Sequence, residues 1–461
     1  MDYDQTIQYI FDSVPMFQRD GGTAYKAGLE TTIALDEHCG HPHRAYRTIH
    51  VAGTNGKGSC SHTLAAILQS AGYRVGLYTS PHLVDFRERI RINGKMATKK
   101  FVTDFVEQHI GFFEPLHPSF FELTTAMAFC YFAQEKVDVA VIEVGLGGRL
   151  DCTNIIRPDL CVITNISFDH TQFLGHTLKA IAGEKAGIIK RNVPVVIGNA
   201  EGDVEQVFRD KAAAMDAPIF FCKDNAKKYD AALRQVDQKL YMSIHTDLFE
   251  QFGPINIEGE LLEYCQKENG LTILTAVSQL INRGYHIEET DIKTGMNRVC
   301  GMTGLMGRWQ LLDNRTKKNV VCDTGHNVAC FESISRQLSN LRSIYPKVHL
   351  VLGMVNDKDI AGILSLLPKD GDYYFTRPTI KRAFPEDKLT EIARQFGLKG
   401  DCYPSVDKAY KAAISKIDDR DLLFVGGSSY VVADLLNHWD ELSSFPSSAK
   451  GFLSSTKGTV K

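Results

Sequence analysis

From residue 50 the chain reads His50-Val51-Ala52-Gly53-Thr54-Asn55-Gly56-Lys57-Gly58-Ser59. A β-branched run leads in and a helical pattern leads out. Glycines at such a junction let the backbone curl so that its N–H groups converge on an anion, and the helix N-terminus adds partial positive charge. Lys57 can reach outer phosphates, and Ser59 offers a hydroxyl to Mg²⁺. The spacing departs from GxxxxGK[ST]: Val51 stands where that motif has its first glycine, and Gly58 delays the hydroxyl to Ser59. A tight strand–helix turn without a ligand is the plainer alternative, but three glycines, a lysine and a hydroxyl coincide at the right junction.

Three further residues could serve a phosphate site. Glu143 ends the apolar run Asp138–Val144 and precedes Gly145, Gly147 and Gly148. Ligands of open α/β sheets bind beyond the carboxyl ends of strands, where a carboxylate is a natural Mg²⁺ ligand or, alternatively, a solvated strand-end acid. His170 closes Thr164-Asn165-Ile166-Ser167-Phe168-Asp169-His170, which places it one strand away at the same edge. Imidazole suits Mg²⁺ poorly, so a structural histidine is the competing reading. Lys185 lies in Gly183-Glu184-Lys185-Ala186-Gly187. A helical lysine is usually solvated, yet two glycines that weaken a helix leave room for something to pack closely there.

The elements that must position these groups alternate. Thr48–Val51, Val75–Thr79, Asp138–Val144, Leu160–Thr164 and Val193–Ile197 read as buried parallel strands, with helix-period segments at Gly58–Ala71, Phe120–Glu135 and Thr177–Lys190. This predicts a doubly wound α/β sheet carrying the P-loop. The stretch Asp224–Thr246 predicts a small antiparallel excursion, and helical pattern returns at Glu268–Arg283. Asn297–Gly307, glycine-bearing and aperiodic, reads as a hinge. A second βα series near Val320–Asp323, Val348–Gly353, Asp372–Thr376 and Leu422–Gly426 predicts a smaller, Rossmann-like α/β domain. The Ser/Lys-rich end from Ser443 reads as a frayed tail.

Composition narrows the function classes. With 461 residues, two domains are expected. Hydrophobic residues at 44%, charged residues at 23% and a net charge of −3 describe a soluble globular chain with no electrostatic call on nucleic acid or membrane. The acidic start predicts no secretory signal, and no apolar run approaches the ~20 residues of a membrane span. Eleven cysteines without a CxxC pair, Cys130, Cys161 and Cys330 among them, read as buried free thiols in a cytoplasmic protein.

With these residues in view, the chain resembles the folylpolyglutamate synthase/dihydrofolate synthase family of the Mur ligase superfamily. The resemblance rests on an ordered series: GTNGKGS at 53–59, TSPHL at 79–83, RERIRING at 87–94, FFELTTAMAF at 120–129, EVGLGGRLDCTN at 143–154 and SFDHTQFLG at 167–175, then GEKAGIIK at 183–190, GRW at 307–309, DTGHN at 323–327 and GGSSYVVAD at 426–434. It implies that Gly53, Thr54, Asn55, Gly56, Lys57, Gly58 and Ser59 bind ATP phosphates, and that Ser80, Glu143 and His170 join Ser59 around Mg²⁺. Lys185 resembles the lysine that this family carbamylates to support a second metal. Asn269, Arg308, Asp323 and His326 would complete the nucleotide site, with Arg308 at the γ-phosphate. Thr125 and the stretch Leu150, Asp151, Cys152 resemble substrate contacts. The implied organisation is a central ATP-binding domain over 1–298, a C-terminal domain over 299–442 and a tail over 443–461.

The expected activity is ATP-dependent addition of L-glutamate to the carboxylate of a reduced folate or dihydropteroate through an acyl phosphate, with Lys57, Glu143, His170, Lys185 and Arg308 as catalytic residues and a monomer as the default assembly. Two rivals stand beside it. Cell-wall Mur ligases place a further domain before the loop, and only 52 residues precede Gly53 here. A P-loop switch without ligase activity would need no second α/β domain.

Overall fold

In the computed structural model the described residues are 1–14, 28–236, 239–313 and 318–443. They fall into two compact units, Met1–Leu305 and Met306–Lys461.

The first unit is built on eight strands: β1 (Arg47–Ala52), β2 (Val75–Tyr78), β3 (Ile90–Ile92), β4 (Lys95–Met96), β5 (Val139–Glu143), β6 (Leu160–Asn165), β7 (Val195–Asn199) and β8 (Ile219–Phe221). Their order is β4-β3-β2-β5-β1-β6-β7-β8. Neighbouring strands pair in parallel except for β2–β3 and β3–β4, which form an antiparallel edge. Asn93-Gly94 joins β3 to β4 with φ of +46° and +75°, the geometry that Asn-Gly favours in a two-residue hairpin.

The central strands are apolar on both faces because both are covered. Val51, Val141 and Val162 face a core shared with α3 (Lys57–Ser70), α9 (Gln266–Asn282) and α10 (Glu289–Asn297). Ala140 and Ile142 point the other way, into an aromatic-rich core with α4 (Lys99–Phe113) and α5 (Phe120–Gln134). The two amino-terminal helices are α1 (Tyr3–Ser13) and α2 (Glu30–His38), followed later by the one-turn α6 (Thr171–Leu174). A third cluster lies under α7 (Leu178–Ala186) and α8 (Gly202–Ala214). The antiparallel excursion is a three-stranded sheet of β9 (Tyr229–Val236), β10 (Lys239–Thr246) and β11 (Ile255–Gly259), which sends Met242, Ile244, Ile255 and Ile257 into the first core.

Two expectations need correcting. The helix expected over Thr177–Lys190 is shorter. Thr177 caps it by accepting from the Ala180 N–H at 3.1 Å, and it ends at Gly187, where a Cβ would lie 2.3 Å from the Arg149 Cα. Gly187 therefore serves a close approach, whereas Gly183 faces open space. The expected hinge is partly helical: α11 (Val299–Thr303) packs on α3, and His62 Nδ1 meets Thr303 Oγ1 at 2.7 Å. Residues 299–305 lie within the compact unit Met1–Leu305.

The second unit has six strands in the order β12-β13-β17-β14-β15-β16. They are β12 (Gln310–Leu311), β13 (Asn319–Asp323), β14 (Val348–Gly353), β15 (Asp372–Thr376), β16 (Lys399–Cys402) and β17 (Leu422–Gly426), parallel except for β12. Helix α12 (Val328–Asn340) follows β13. All eleven cysteines are free thiols; of the three singled out above, Cys161 is buried while Cys130 and Cys330 are half-exposed. Among the described residues no helix is long and apolar enough to cross a membrane. The expected tail lies outside the described residues apart from Ser443.

Candidate active site

Four adjacent strands deliver the candidate residues to one sheet edge. In the order β2-β5-β1-β6, their carboxyl ends carry Ser80, Glu143, the loop Gly53–Ser59 and the segment Asn165–His170. The loop strand is thus the centre, with Val51 in register with Glu143 on one side and with Val162 on the other.

Local sequence explains the loop's path. Gly53 and Gly56 have φ of +148° and +82°, conformations that L side chains rarely adopt. Space forbids a side chain as well: a Cβ on Gly53 would lie 1.8 Å from Thr164 Oγ1, and one on Gly56 would lie 2.4 Å from Asn269 Oδ1. Gly56 occupies the N-cap of α3 without a capping side chain, so first-turn N–H groups remain available to an anion.

The end of β6 pins the loop. The Thr54 N–H donates to the Asn165 carbonyl (3.0 Å), and the Asn55 N–H donates to Asn165 Oδ1 (2.9 Å). Thr164 Oγ1 donates to the Asn55 carbonyl (2.5 Å), and the Ser167 N–H donates to Thr54 Oγ1 (3.1 Å). Thr164, Asn165 and Ser167 are loop-pinning residues beyond those expected from the sequence. Polar residues gathered at the end of an apolar strand were the available signal.

Lysine chemistry concentrates on one carbonyl. Lys57 Nζ donates to the carbonyls of Gly53 and Thr54, both at 3.0 Å. Lys185 Nζ, from the last turn of α7, donates to the same Gly53 carbonyl at 2.8 Å. Lys185 is only 4% exposed. Burial, reinforced by the Lys57 charge and opposed by Asp169 and Asp151, brings its amine down to about 7. A solvated helical lysine is therefore the wrong description.

Glu143 is buried, and its Oε2 accepts from the Ser80 N–H at 3.4 Å. The segment after Ser80 is held by Glu88, whose carboxylate accepts from the N–H groups of Leu83, Val84 and Asp85 at 2.8–3.0 Å. His170 has φ +50° and caps α6, with Nε2 at 3.9 Å from Asp169 Oδ1. Asn269 backs Gly56 from α9, and its Nδ2 donates to Gln266 Oε1 at 3.0 Å. Gln266 Nε2 in turn donates to Ser59 Oγ at 3.2 Å.

Of the residues expected as substrate contacts, Thr125 and Asp151 are buried. Thr125 is fully buried with its hydroxyl 3.0 Å from the Tyr78 hydroxyl, and it lines a small cavity with Thr32, Asp36 and Phe129. Asp151 turns inward, accepting from the Leu146 N–H (2.8 Å), the Thr153 N–H (3.0 Å) and Thr153 Oγ1 (2.5 Å). Burial raises the Asp151 carboxyl against those hydrogen bonds. Thr153 Oγ1 also meets His50 Nε2 at 2.8 Å, which ties the glycine loop after β5 to the strand before the phosphate loop. Burial keeps His50 neutral, with its pKa lowered to about 3. Leu150 and Cys152 are half-buried beside Asp151.

In the second unit, Asp323 ends β13 in a buried position. Its carboxylate accepts from the Trp309 and Gly325 N–H groups, both at 2.7 Å, and burial raises it while the Arg308 charge lowers it. Arg308 is half-buried, with Nη1 3.4 Å from the Gly307 carbonyl. His326 Nδ1 lies 3.0 Å from the Thr324 carbonyl.

The residues at the first unit's edge suit Mg²⁺ in kind: hydroxyls from Ser59 and Ser80 and the buried carboxylate of Glu143. Among the described residues no group of three or more His, Cys, Asp and Glu could hold a metal. Mg²⁺ needs none, since it takes one or two carboxylates and fills its shell with waters and phosphate oxygens.

A phosphate loop on a doubly wound sheet followed by a second α/β unit is the arrangement of the Mur ligases, and the family models match it. The Mur ligase middle domain matches residues 51–269, and the Mur ligase glutamate ligase domain matches residues 307–429. The dihydrofolate synthase/folylpolyglutamate synthase of Bacillus subtilis is 30% identical over 89% of this chain and 94% of its own length. A probable bifunctional folylpolyglutamate synthase/dihydropteroate synthase of Haloferax volcanii is 30% identical over 95% of this chain, which spans only 51% of that relative. Escherichia coli FolC, solved in complex with DHPP and ADP, superposes with a TM-score of 0.81 at 29% identity, covering 96% of this chain and 99% of that one. The chain belongs to the dihydrofolate synthase/folylpolyglutamate synthase family.

Gly56→Ala is expected to weaken ADP binding by about tenfold or more, since left-handed strain of ~1–2 kcal/mol adds to the collision with Asn269. Calorimetric titration checks this; unchanged affinity would contradict the loop geometry.

Proposed function

We propose that this protein is an ATP-dependent ligase that adds L-glutamate to the carboxylate of a reduced folate or dihydropteroate by way of an acyl phosphate. The observation that carries this reading is the convergence of the loop Gly53–Ser59, buried Glu143 and buried Lys185 at one sheet edge. Eleven free thiols support a reducing, cytoplasmic setting.

A free carboxylate is a poor acylating agent, so it needs a better leaving group than hydroxide. The substrate carboxylate attacks the γ-phosphorus of ATP, ADP departs, and the resulting acyl phosphate is attacked by the glutamate amine. A tetrahedral intermediate then expels inorganic phosphate. In this scheme the first-turn N–H groups of α3 and Lys57 hold the phosphates. Ser59, Ser80, Glu143 and His170 are the residues that would hold Mg²⁺, which when bound draws charge from the transferred phosphoryl group. We assign Arg308 to the γ-phosphate, Asn269, Asp323 and His326 to the nucleotide, and Thr125, Leu150, Asp151 and Cys152 to shaping the acceptor's site. Asp151 does so by fixing the loop after β5 rather than by presenting a free carboxylate.

Lys185 is suited to carbamylation because the reaction needs a neutral amine. The nitrogen lone pair attacks the carbon of CO₂, and the nitrogen loses one proton to water, leaving a carbamate anion. With the amine pKa at about 7, the neutral fraction grows as pH rises through 7, whereas an exposed lysine near 10.4 stays protonated there.

Two outcomes follow. ADP release should require both glutamate and a pteroate or folate acceptor; hydrolysis indifferent to both would favour a nucleotide switch. With ¹³C-bicarbonate, a carbamate carbon resonance should appear, strengthen between pH 6 and 8, and vanish in Lys185→Met. A signal unaffected by that substitution would remove Lys185 from this role.

A further inference from the structure

The mechanism leaves one buried polar side chain at the phosphate loop without a task. Gln266 opens α9, is 5% exposed, and bridges two groups of the site. Its Oε1 accepts from Asn269 Nδ2 at 3.0 Å, and its Nε2 donates to Ser59 Oγ at 3.2 Å. Gln266 and Asn269 are three residues apart and so share one helix face. Through them α9 supports both ends of the loop's final turn: Asn269 Oδ1 backs Gly56, and Gln266 grips Ser59.

A serine hydroxyl has one donor proton, two acceptor lone pairs and a freely rotating O–H. Ser59 is 1% exposed, so its oxygen has few directions left once one lone pair is engaged. With Gln266 donating to that lone pair, the second lone pair is free for a cation and the proton is free for a phosphate oxygen. An amide donor is the side chain suited to this. A carboxylate in its place would accept the Ser59 proton instead.

Building on the ligase reading above, we propose that Gln266 is a positioning residue which orients the Ser59 hydroxyl toward the magnesium–nucleotide. It touches neither cation nor phosphate itself and acts only through Ser59.

The test is calorimetric titration of ADP into the full-length protein, with Mg²⁺ varied and with EDTA. Gln266→Met keeps the volume and removes the donor. The Mg²⁺ concentration giving half of the metal-dependent gain in affinity should rise about three- to tenfold, the weight of one hydrogen bond, while affinity in EDTA changes less than about twofold. A packing role would instead weaken binding equally with and without Mg²⁺, and that result overturns the proposal, as does an unchanged Mg²⁺ midpoint. In Ser59→Ala the same substitution should add nothing; a full additional effect there also overturns it. Should Gln266→Met not fold, Gln266→Leu carries the test, because it also removes the donor to Ser59 without adding charge beside the cation, and the same shift is expected. If the unmodified protein bound ADP without any gain from Mg²⁺, the ligase reading would fail before Gln266 was reached.

Discussion

Two ammonium-bearing side chains meet at the Gly53 carbonyl. Lys57 and Lys185 lie 3.0 and 2.8 Å from that oxygen. Their nitrogens are therefore no more than about 6 Å apart, where full charges would repel by ~3 kcal/mol at an effective dielectric of 20. Loss of one charge, or an anion arriving between them, relieves that repulsion beyond what Asp169 and Asp151 supply. The structure already takes the first course in part, because burial and Lys57 together bring Lys185 down to about 7. Phosphate binding and carbamylation are two ways of supplying the missing negative charge.

That arrangement depends on where β1 sits. With β5 and β6 as its neighbours and β2 beyond β5, four strand ends open on one edge within a few strand spacings of ~4.8 Å. The fold's long-range order thus translates directly into local chemistry. Glu143 and the loop belong together because Val51 and Glu143 are in register. Lys185 joins them because Gly187 lets the end of α7 close on Arg149, a contact that no side chain would permit.

Much of this was legible in the chain. Apolar runs of strand length gave the principal strands of both sheets because those strands are covered on both faces, and the glycine-rich junction gave the phosphate loop. Period and propensity say less about what a side chain reaches across space. Lys185 reads as an ordinary helical lysine until the fold buries it. Nothing in the sequence around Asp151 shows that loop N–H groups hold its oxygens. Gln266 shows no local sign of its hold on Ser59, which lies 207 residues away in sequence, and the polar end of β6 hints at a role for Asn165 without revealing its partner 110 residues away.

Oxygen transfer tests the central claim most directly. The acceptor carboxylate is labelled with ¹⁸O and incubated with the protein, ATP, L-glutamate and Mg²⁺, and the inorganic phosphate is examined by mass spectrometry. Passage through an acyl phosphate carries one labelled oxygen into each phosphate released. Phosphate that forms in step with the glutamylated product but without label would contradict the account.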